Sequence, residues 1–171
     1  MSVEPVYLEA AFEDTQKDKY LTFSIDDDIY GLEISYVLEI IGVQEITTIP
    51  VQRPYIKGVI NLRGKIIPVM DIRLRFGKAY RSYDDRTCVV VLEINELTVG
   101  IIVDTVVEVL TIPEEEISAP PSFDNRNGSA FIQGIGRVEE AVKLLLNVRR
   151  LIAHEGQEIQ AEGDAAVRKE H

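Results

Sequence analysis

The chain of 171 residues contains one cysteine, two histidines and no tryptophan. The single thiol, Cys88, cannot form an internal disulfide, and two histidines leave few ligands for a zinc site and few bases for a catalytic triad. No segment approaches the roughly 20 apolar residues that a membrane-spanning helix needs. The N-terminal sequence also lacks the basic and apolar regions of a signal peptide. We therefore expect a cytoplasmic protein with no direct membrane insertion.

Basic residues are also scarce, since 18 Lys and Arg stand against 29 Asp and Glu and give a net charge of -11. Such a surface repels a phosphate backbone, so nucleic acid is not an expected partner. Hydrophobic residues make up 46% and charged residues 27%, a globular composition. The chain has 21 Ile and 19 Val against 13 Leu and 10 Ala, and β-branched side chains favour strands. The composition predicts a mainly β protein.

Between about Tyr20 and Ile152 the apolar residues fall in short runs separated by Gly, Pro, Asp and Asn, a pattern typical of a barrel or sandwich. The two ends differ, because residues 1–18 and 155–171 carry much charge and few aromatic or β-branched side chains. We expect both ends to be flexible tails. The sequence thus predicts one domain over residues 19–154.

Two blocks of sequence recur in order. Leu21–Ile40 has a weaker counterpart in Val90–Val109 at an offset of 69 residues, each followed by a Thr-Ile-Pro run (48–50 and 111–113), and Tyr55–Arg73 has a counterpart in Phe131–Arg149 at an offset of 76. Turn glycines and apolar positions recur together, which indicates one β supersecondary unit used twice. Each copy is too small to bury its own core. We therefore expect two small barrels packed face to face.

Polar turns between short alternating runs predict four hairpins. Their strands are 20–25 with 29–34, 57–62 with 65–70, 87–94 with 97–103, and 130–138 with 141–146. Helices should be few and short. N-cap residues predict them at 35–39, 71–76 and 147–153.

No catalytic constellation emerges from the remaining motifs. Cys88 lies in an apolar strand with no histidine near it in sequence, so it is interpreted as a packing group. The run Asp26–Asp28 lacks the spaced oxygens and the distal Glu of a calcium loop and is interpreted as a solvated hairpin turn. Neither a dinucleotide fingerprint nor a phosphate loop is present. We expect no enzyme activity, no cofactor and no metal.

One candidate contact surface remains. Arg63 is predicted at a hairpin tip, where it is either solvated or held ready for a carboxylate of a partner. Val37 and Ile40 stand at helical spacing with Glu39 between them. If both face outward they form an apolar patch with an acidic neighbour, suited to an amphipathic helix. Core packing is the alternative role for these apolar side chains.

The segment Tyr55–Phe76, YIKGVINLRGKIIPVMDIRLRF, closely resembles the central signature of CheW, a family of bacterial chemotaxis coupling proteins. The resemblance extends to Phe23–Ile49, Val99–Asp104 and Phe131–Gly136, so it covers about residues 20–152 in order. The same domain closes the histidine kinase CheA. This chain has no room for kinase, dimerisation or phosphotransfer domains, so a free-standing adaptor fits its length.

The resemblance implies a fold of two five-stranded SH3-like β-barrels packed around a shared hydrophobic core, with a few short helices. It also implies a function without catalysis. In the family, the adaptor joins the cytoplasmic tip of a methyl-accepting chemotaxis receptor to the regulatory domain of CheA. The protein is then expected to be a monomer when free and to be recruited from the cytoplasm to membrane receptor arrays.

By position, the family's receptor-binding groove lies between the barrels. It carries over to Val37, Glu39, Ile40, Arg63, Cys88 and Val109. Four glycines match family glycines and are expected to be structural turn glycines or sites of close backbone approach. They are Gly58, Gly64, Gly100 and Gly134. A kinase-facing surface is expected on the outer strands of the first barrel, with no residues assigned.

Two alternatives remain open. The chain could be an SH3-like peptide-binding module of another signalling array, which differs only in its partner. The groove could instead hold a small molecule and perform chemistry. That second reading would be favoured by a closed pocket lined by Asp71 and Asp104.

Overall fold

The computed structural model describes residues 16–51, 53–120 and 129–152. Apart from residues 16–18, the predicted tails 1–18 and 155–171 lie outside the described residues. Within them, no helix is both long enough and apolar enough to cross a membrane. The elements are mostly strands. They are β1 (Lys19–Ile25), β2 (Asp28–Glu33), β3 (Val37–Gly42), β4 (Ile56–Leu62), β5 (Lys65–Asp71), β6 (Cys88–Ile94), β7 (Leu97–Val103), β8 (Thr105–Thr111), β9 (Ile117–Ser118), β10 (Ile132–Val138) and β11 (Ala141–Leu146).

The helices are short, as predicted. α1 spans Ile72–Arg75 and α2 spans residues 148–152. Single turns of 3-10 helix lie at Ile34–Tyr36, Glu114–Glu116 and Ser129–Phe131. The predicted helices at 71–76 and 147–153 are thus present over the described residues, and position 153 lies outside them.

The strands form two sheets. One, which we call the terminal barrel, has the order β8-β1-β2-β11-β10-β9. The other, the central barrel, has the order β3-β6-β7-β5-β4. The central barrel closes where Thr47 and Val59 exchange two backbone hydrogen bonds of 2.8 and 2.9 Å. The mainly β fold of two SH3-like units is confirmed, although the terminal barrel has a sixth strand, the two-residue β9.

The four predicted hairpins are present as β1–β2, β4–β5, β6–β7 and β10–β11. Three of them turn through two residues with positive φ, as in Arg63 and Gly64 at 51° and 88°. Asn95–Glu96 and Glu139–Glu140 do the same. Turns of this kind match the right-handed twist of the flanking strands, which is why short polar pairs suffice here.

The strand pairing follows the internal repeat. β2 pairs in parallel with β11 through Gly31 and Leu145, and β7 pairs in parallel with β5 through the equivalent Gly100 and Val69. The third strand of each copy crosses to the other barrel, because β3 pairs with β6 and β8 pairs with β1. Each barrel therefore contains strands from both copies.

Three apolar clusters hold this arrangement together. Ile60, Ile67 and Val91 belong to the cluster inside the central barrel, and Ile112 and Leu145 to the one inside the terminal barrel. The third and largest lies between the barrels and takes residues from β1, β2, β6 and β7. Its aromatic rings form a chain of contacts at 5.0 to 6.1 Å between centroids. The rings are those of Phe23, Tyr30, Phe76 and Phe131. Burying this shared face is what joins the two halves.

Candidate functional site

β3 lies at the centre of the predicted receptor-binding residues and is an extended strand. The predicted helix at 35–39 is wrong, because helical geometry ends at Tyr36 and Val37 begins the strand. The N-cap of the single 3-10 turn is Glu33, which makes no side-chain capping hydrogen bond, and Ser35 lies inside the turn. Pairing with the exposed edge of β6 holds residues 37–42 extended. Val37 and Ile40 therefore do not lie together on one face of a helix.

Successive residues of β3 alternate between half-buried and exposed. Val37 packs against the shared core, whereas Ile40 is 42% exposed. Leu38 is 54% exposed, although it is not among the predicted site residues. Side chains of a strand alternate between its two faces, so a strand prediction for this segment would have placed Leu38 on the same face as Ile40. The outward apolar pair on this strand is therefore Leu38 and Ile40.

Arg63 occupies the tip of the β4–β5 hairpin, as predicted, with 72% of its side chain exposed. Its guanidinium donates to the carboxylate of Glu39 on β3, and the two form an ion pair. The turn beneath is fixed, since the backbone amide of Gly64 donates to Asn61 Oδ1 at 2.8 Å. The structure thus brings Glu39 and Arg63 into contact, although they are 24 residues apart in the sequence.

The other two predicted site residues lie apart from this pair. Cys88 begins β6 opposite Gly42, packs against the shared core, and donates its thiol hydrogen to the Arg86 carbonyl at 3.3 Å. Val109 is 51% exposed on β8 of the terminal barrel, where it pairs with Leu21. Among the described strands, β8 pairs only with β1. Backbone pairing therefore does not join Val109 to β3.

Only one of the four predicted turn glycines lies in a turn, namely Gly64. The other three lie inside β4, β7 and β10, so for them the turn assignment is wrong and close approach is the reason for glycine. At Gly58, which has φ 142°, a Cβ atom would come within 2.1 Å of the Thr47 carbonyl oxygen. At Gly100 and Gly134 a Cβ would meet a neighbouring side chain at 2.8 Å. Gly58 thereby allows the contact that closes the central barrel.

A separate polar cluster lies at the far end of β5. Asp71 caps α1 by accepting from the amide of Arg73 at 2.9 Å, and it also accepts from the Tyr83 hydroxyl at 2.7 Å. Burial and the bond to Asp71 raise the pKa of Tyr83. Arg73 in turn lowers the pKa of Asp26 through a hydrogen bond of 2.6 Å, so Asp26 is not merely a solvated turn residue.

Asp71 and Asp104 do line a common cavity beside this cluster, the feature that would favour a small-molecule site. Its volume is about 10 Å³, and a cavity of roughly 10–15 Å³ holds a single water. Both carboxylates already accept hydrogen bonds from protein groups. This cavity is too small for a metabolite.

The comparisons with known proteins agree with the fold and the signature. A family model described as the CheW-like domain matches residues 19–156. The chemotaxis protein CheW of Klebsiella aerogenes is 35% identical over 142 residues, which cover 83% of this chain and 86% of that protein. The chemotaxis protein CheW of Bacillus subtilis is 29% identical over 138 residues, covering 81% of this chain and 88% of the relative.

A solved structure is similar as well. It is the crystal structure of the scaffolding protein TtCheW from Thermoanaerobacter tengcongensis, with a TM-score of 0.70 and 37% identity over 77% of this chain and 84% of the other. Residues 19–156, which the family model matches, contain the strands of both barrels and the β4–β5 hairpin with its signature. Because the family model and these relatives span most of its length, the chain belongs to the CheW family of chemotaxis scaffold proteins.

Proposed function

We propose that this chain is a non-catalytic adaptor that binds the cytoplasmic tip of a methyl-accepting chemotaxis receptor on one surface and the regulatory domain of CheA on another. It acts in the cytoplasm, at receptor arrays beneath the membrane. Membership of the family supports the chemotaxis role. The observation that carries the receptor-binding surface is the exposed apolar edge of β3 beside Arg63.

The apolar part of this surface suits a helix. Leu38 and Ile40 project from one strand, two residues apart, and both are exposed. An amphipathic helix covers such side chains with its own apolar stripe, and their removal from water stabilises the complex. Val37 and Cys88 lie behind them in the shared core and support the strand.

The charged part of the surface, formed by Arg63 and Glu39, orients the bound helix. Arg63 is held at a rigid turn and pairs with Glu39, so it needs little reordering on binding. A guanidinium has five N–H donors, which lets Arg63 donate to a second carboxylate while it still donates to Glu39. An acidic residue on the partner helix would therefore be drawn to Arg63, beside the apolar contacts.

Control of a kinase requires a second surface that is occupied at the same time. The terminal barrel offers strands other than β8, which carries the predicted receptor-binding residue Val109. Two barrels that share one core can transmit a change at one surface to the other. We assign the kinase to this barrel as a surface, without assigning individual residues.

Titrations of the purified chain test the proposal. The receptor tip and the CheA regulatory domain should each bind alone, and a ternary complex should form when both are present. Competition between the two for the chain would contradict simultaneous binding. If a folded chain binds neither, the adaptor assignment fails and an SH3-like module of another signalling array is the function to test.

A further inference from the structure

The chain crosses between the barrels at two equivalent places. Asp104 leads from β7 of the central barrel into β8 of the terminal barrel. Ser35 lies in the turn that leads from β2 of the terminal barrel into β3 of the central barrel. The two residues are related by the offset of 69 that relates the first blocks of the repeat. The crossovers can therefore be compared position by position.

The β7–β8 crossover is held by an ion network around the buried Arg73, which we call the crossover clamp (Asp26, Arg73 and Asp104). Arg73 is 9% exposed, and its Nη1 donates to Asp26 Oδ1 at 2.6 Å and to Asp104 Oδ2 at 2.8 Å. The backbone amide of Asp26 donates to the same Asp104 oxygen at 3.0 Å. The clamp thus joins the β1–β2 turn of the terminal barrel to the end of β5 in the central barrel.

Neighbouring groups reinforce the clamp from one side. Arg73 Nε donates to the Ala79 carbonyl at 3.0 Å, which ties the segment after α1 to the same guanidinium. Arg81 and Lys78 lie 3.5 and 3.6 Å from the carboxylates of Asp104 and Asp26. Removing the central cation would leave the largely buried carboxylate of Asp104 with only the more distant Arg81 as compensation, which is unfavourable.

The equivalent crossover has no such clamp. The positions that correspond to Asp26, Arg73 and Asp104 are occupied by Asn95, Arg149 and Ser35. Both carboxylates are replaced by neutral side chains, and Arg149 is exposed and forms no ion pair with any described residue. One crossover is therefore fixed by charge, whereas the other is held by its backbone and by the apolar packing of Ile34 and Tyr36 against the shared core.

We propose that Arg73 is a positioning residue for the docking surfaces. It fixes β8, with Val109, to the central barrel and confines movement between the barrels to the Ile34–Tyr36 crossover that precedes β3. Leu38 and Ile40 then lie on the strand that follows the crossover without a clamp, while β8 stays in place. The identity of that partner rests on the proposed function, whereas the difference between the crossovers does not.

Hydrogen exchange on the intact chain tests the positioning role. In the wild type, amides of β8 should exchange at least tenfold more slowly than the paired amides of β3. Arg73→Gln should accelerate β8 by at least tenfold and leave β7, which is buried throughout, unchanged. The matched control Arg149→Gln, at the equivalent position, should change neither strand. Unchanged β8 exchange in Arg73→Gln, or equal acceleration of β7 and β8, would overturn the proposal.

Two milder variants guard against loss of folding. Asp26→Asn removes one carboxylate at a half-exposed position and should accelerate β8 about threefold, a fraction of the effect of losing the cation. Arg73→Lys should restore part of the β8 protection, because an ammonium can hold one carboxylate as a point charge but not both in a fixed fork. If Lys and Gln at position 73 behave alike, the guanidinium is not the positioning group.

Binding provides a readout separate from stability. Arg73→Gln should weaken receptor-tip binding about fivefold, and Arg149→Gln should not weaken it. If the wild type fails to bind the tip, the proposed function is wrong, and the exchange experiment still decides the role of Arg73. Tip binding that is equally weakened by Arg73→Gln and Arg149→Gln would contradict the asymmetry on which the proposal depends.

Discussion

At the scale of single residues, Arg63 has a position in the turn that the sequence predicts and an ion pair that it does not. The hairpin tip could be predicted, because Arg63 and Gly64 stand between two alternating apolar runs. The ion pair with Glu39 could not, because it joins residues 24 apart in sequence through a barrel closure that neither segment encodes locally. Arg63 therefore belongs to two features at once, the turn and the edge of β3.

Arg63→Ala should weaken receptor-tip binding without unfolding the chain. The side chain is exposed at a fixed turn, so its loss removes a partner contact and leaves the core intact. A central interface contact is worth about 2 kcal/mol, or about 30-fold in Kd. Calorimetric titration measures the affinity, and Arg137→Ala, an exposed arginine on the β10–β11 hairpin, is the control. Equal affinities for wild type and Arg63→Ala would remove this residue from the surface.

Gly58→Ala should destabilise the fold by about 2 kcal/mol or more, since it combines backbone strain with steric overlap in a packed position. The new Cβ would overlap the Thr47 carbonyl and break the bridge that closes the central barrel. Gly42→Ala is the matched control, because nothing lies within 4 Å of its Cβ position. Urea denaturation measures both. Similar midpoints for the two variants would show that close approach at Gly58 is not required.

At the scale of elements, the hairpins followed from the sequence, and the crossing strands did not. Polar pairs at the turns define β1–β2, β4–β5, β6–β7 and β10–β11 locally. The sequence predicts a helix at 35–39 with Ser35 as its N-cap, whereas the segment from Val37 onward forms the strand β3. What makes it a strand is the free edge of β6, and that edge is supplied by the other copy of the repeat. No local pattern contains this information.

The cap of α1 offers a test at this scale. Asn147 caps α2 by accepting from the backbone amide of Arg150 at 3.0 Å. Asp71→Ala should lower the free energy of unfolding more than Asn147→Ala. Loss of an N-cap costs about 1 kcal/mol. Asp71 is buried and also accepts from Tyr83, so its loss leaves a second group without its partner. Chemical denaturation compares the two, and equal losses would contradict the added role of Asp71.

At the scale of the whole molecule, the two crossovers give each barrel strands from both copies of the repeat. The internal repeat predicted two similar units, and the structure adds that one barrel combines β1 and β2 with β8–β11, whereas the other combines β3–β5 with β6 and β7. The two copies therefore cannot separate without breaking both barrels. A molecule built in this way can hold two partners at fixed relative positions, which is what an adaptor must do.

Tyr30, which is buried in the shared core, should make the free energy of unfolding fall at high pH. Burial, with Asp28 and Asp26 nearby, raises the pKa of Tyr30 to about 12 from its usual value of 10.0. Because the folded pKa exceeds the unfolded one, this contribution is complete below pH 10 and is lost as the pH rises towards 12. Urea unfolding between these values measures the slope. Tyr30→Phe should reduce the slope, and an unchanged slope would show that Tyr30 does not titrate as described.

The most direct test of the whole account is control of CheA autophosphorylation by receptor ligand in a reconstituted membrane system. With receptor, CheA and this chain together, adding the receptor ligand should change the rate of autophosphorylation. Without the chain, or with Arg63→Ala at concentrations below its weakened Kd, the rate should not respond to ligand. A ligand response of equal size in the absence of the chain would contradict its role as the adaptor between receptor and kinase.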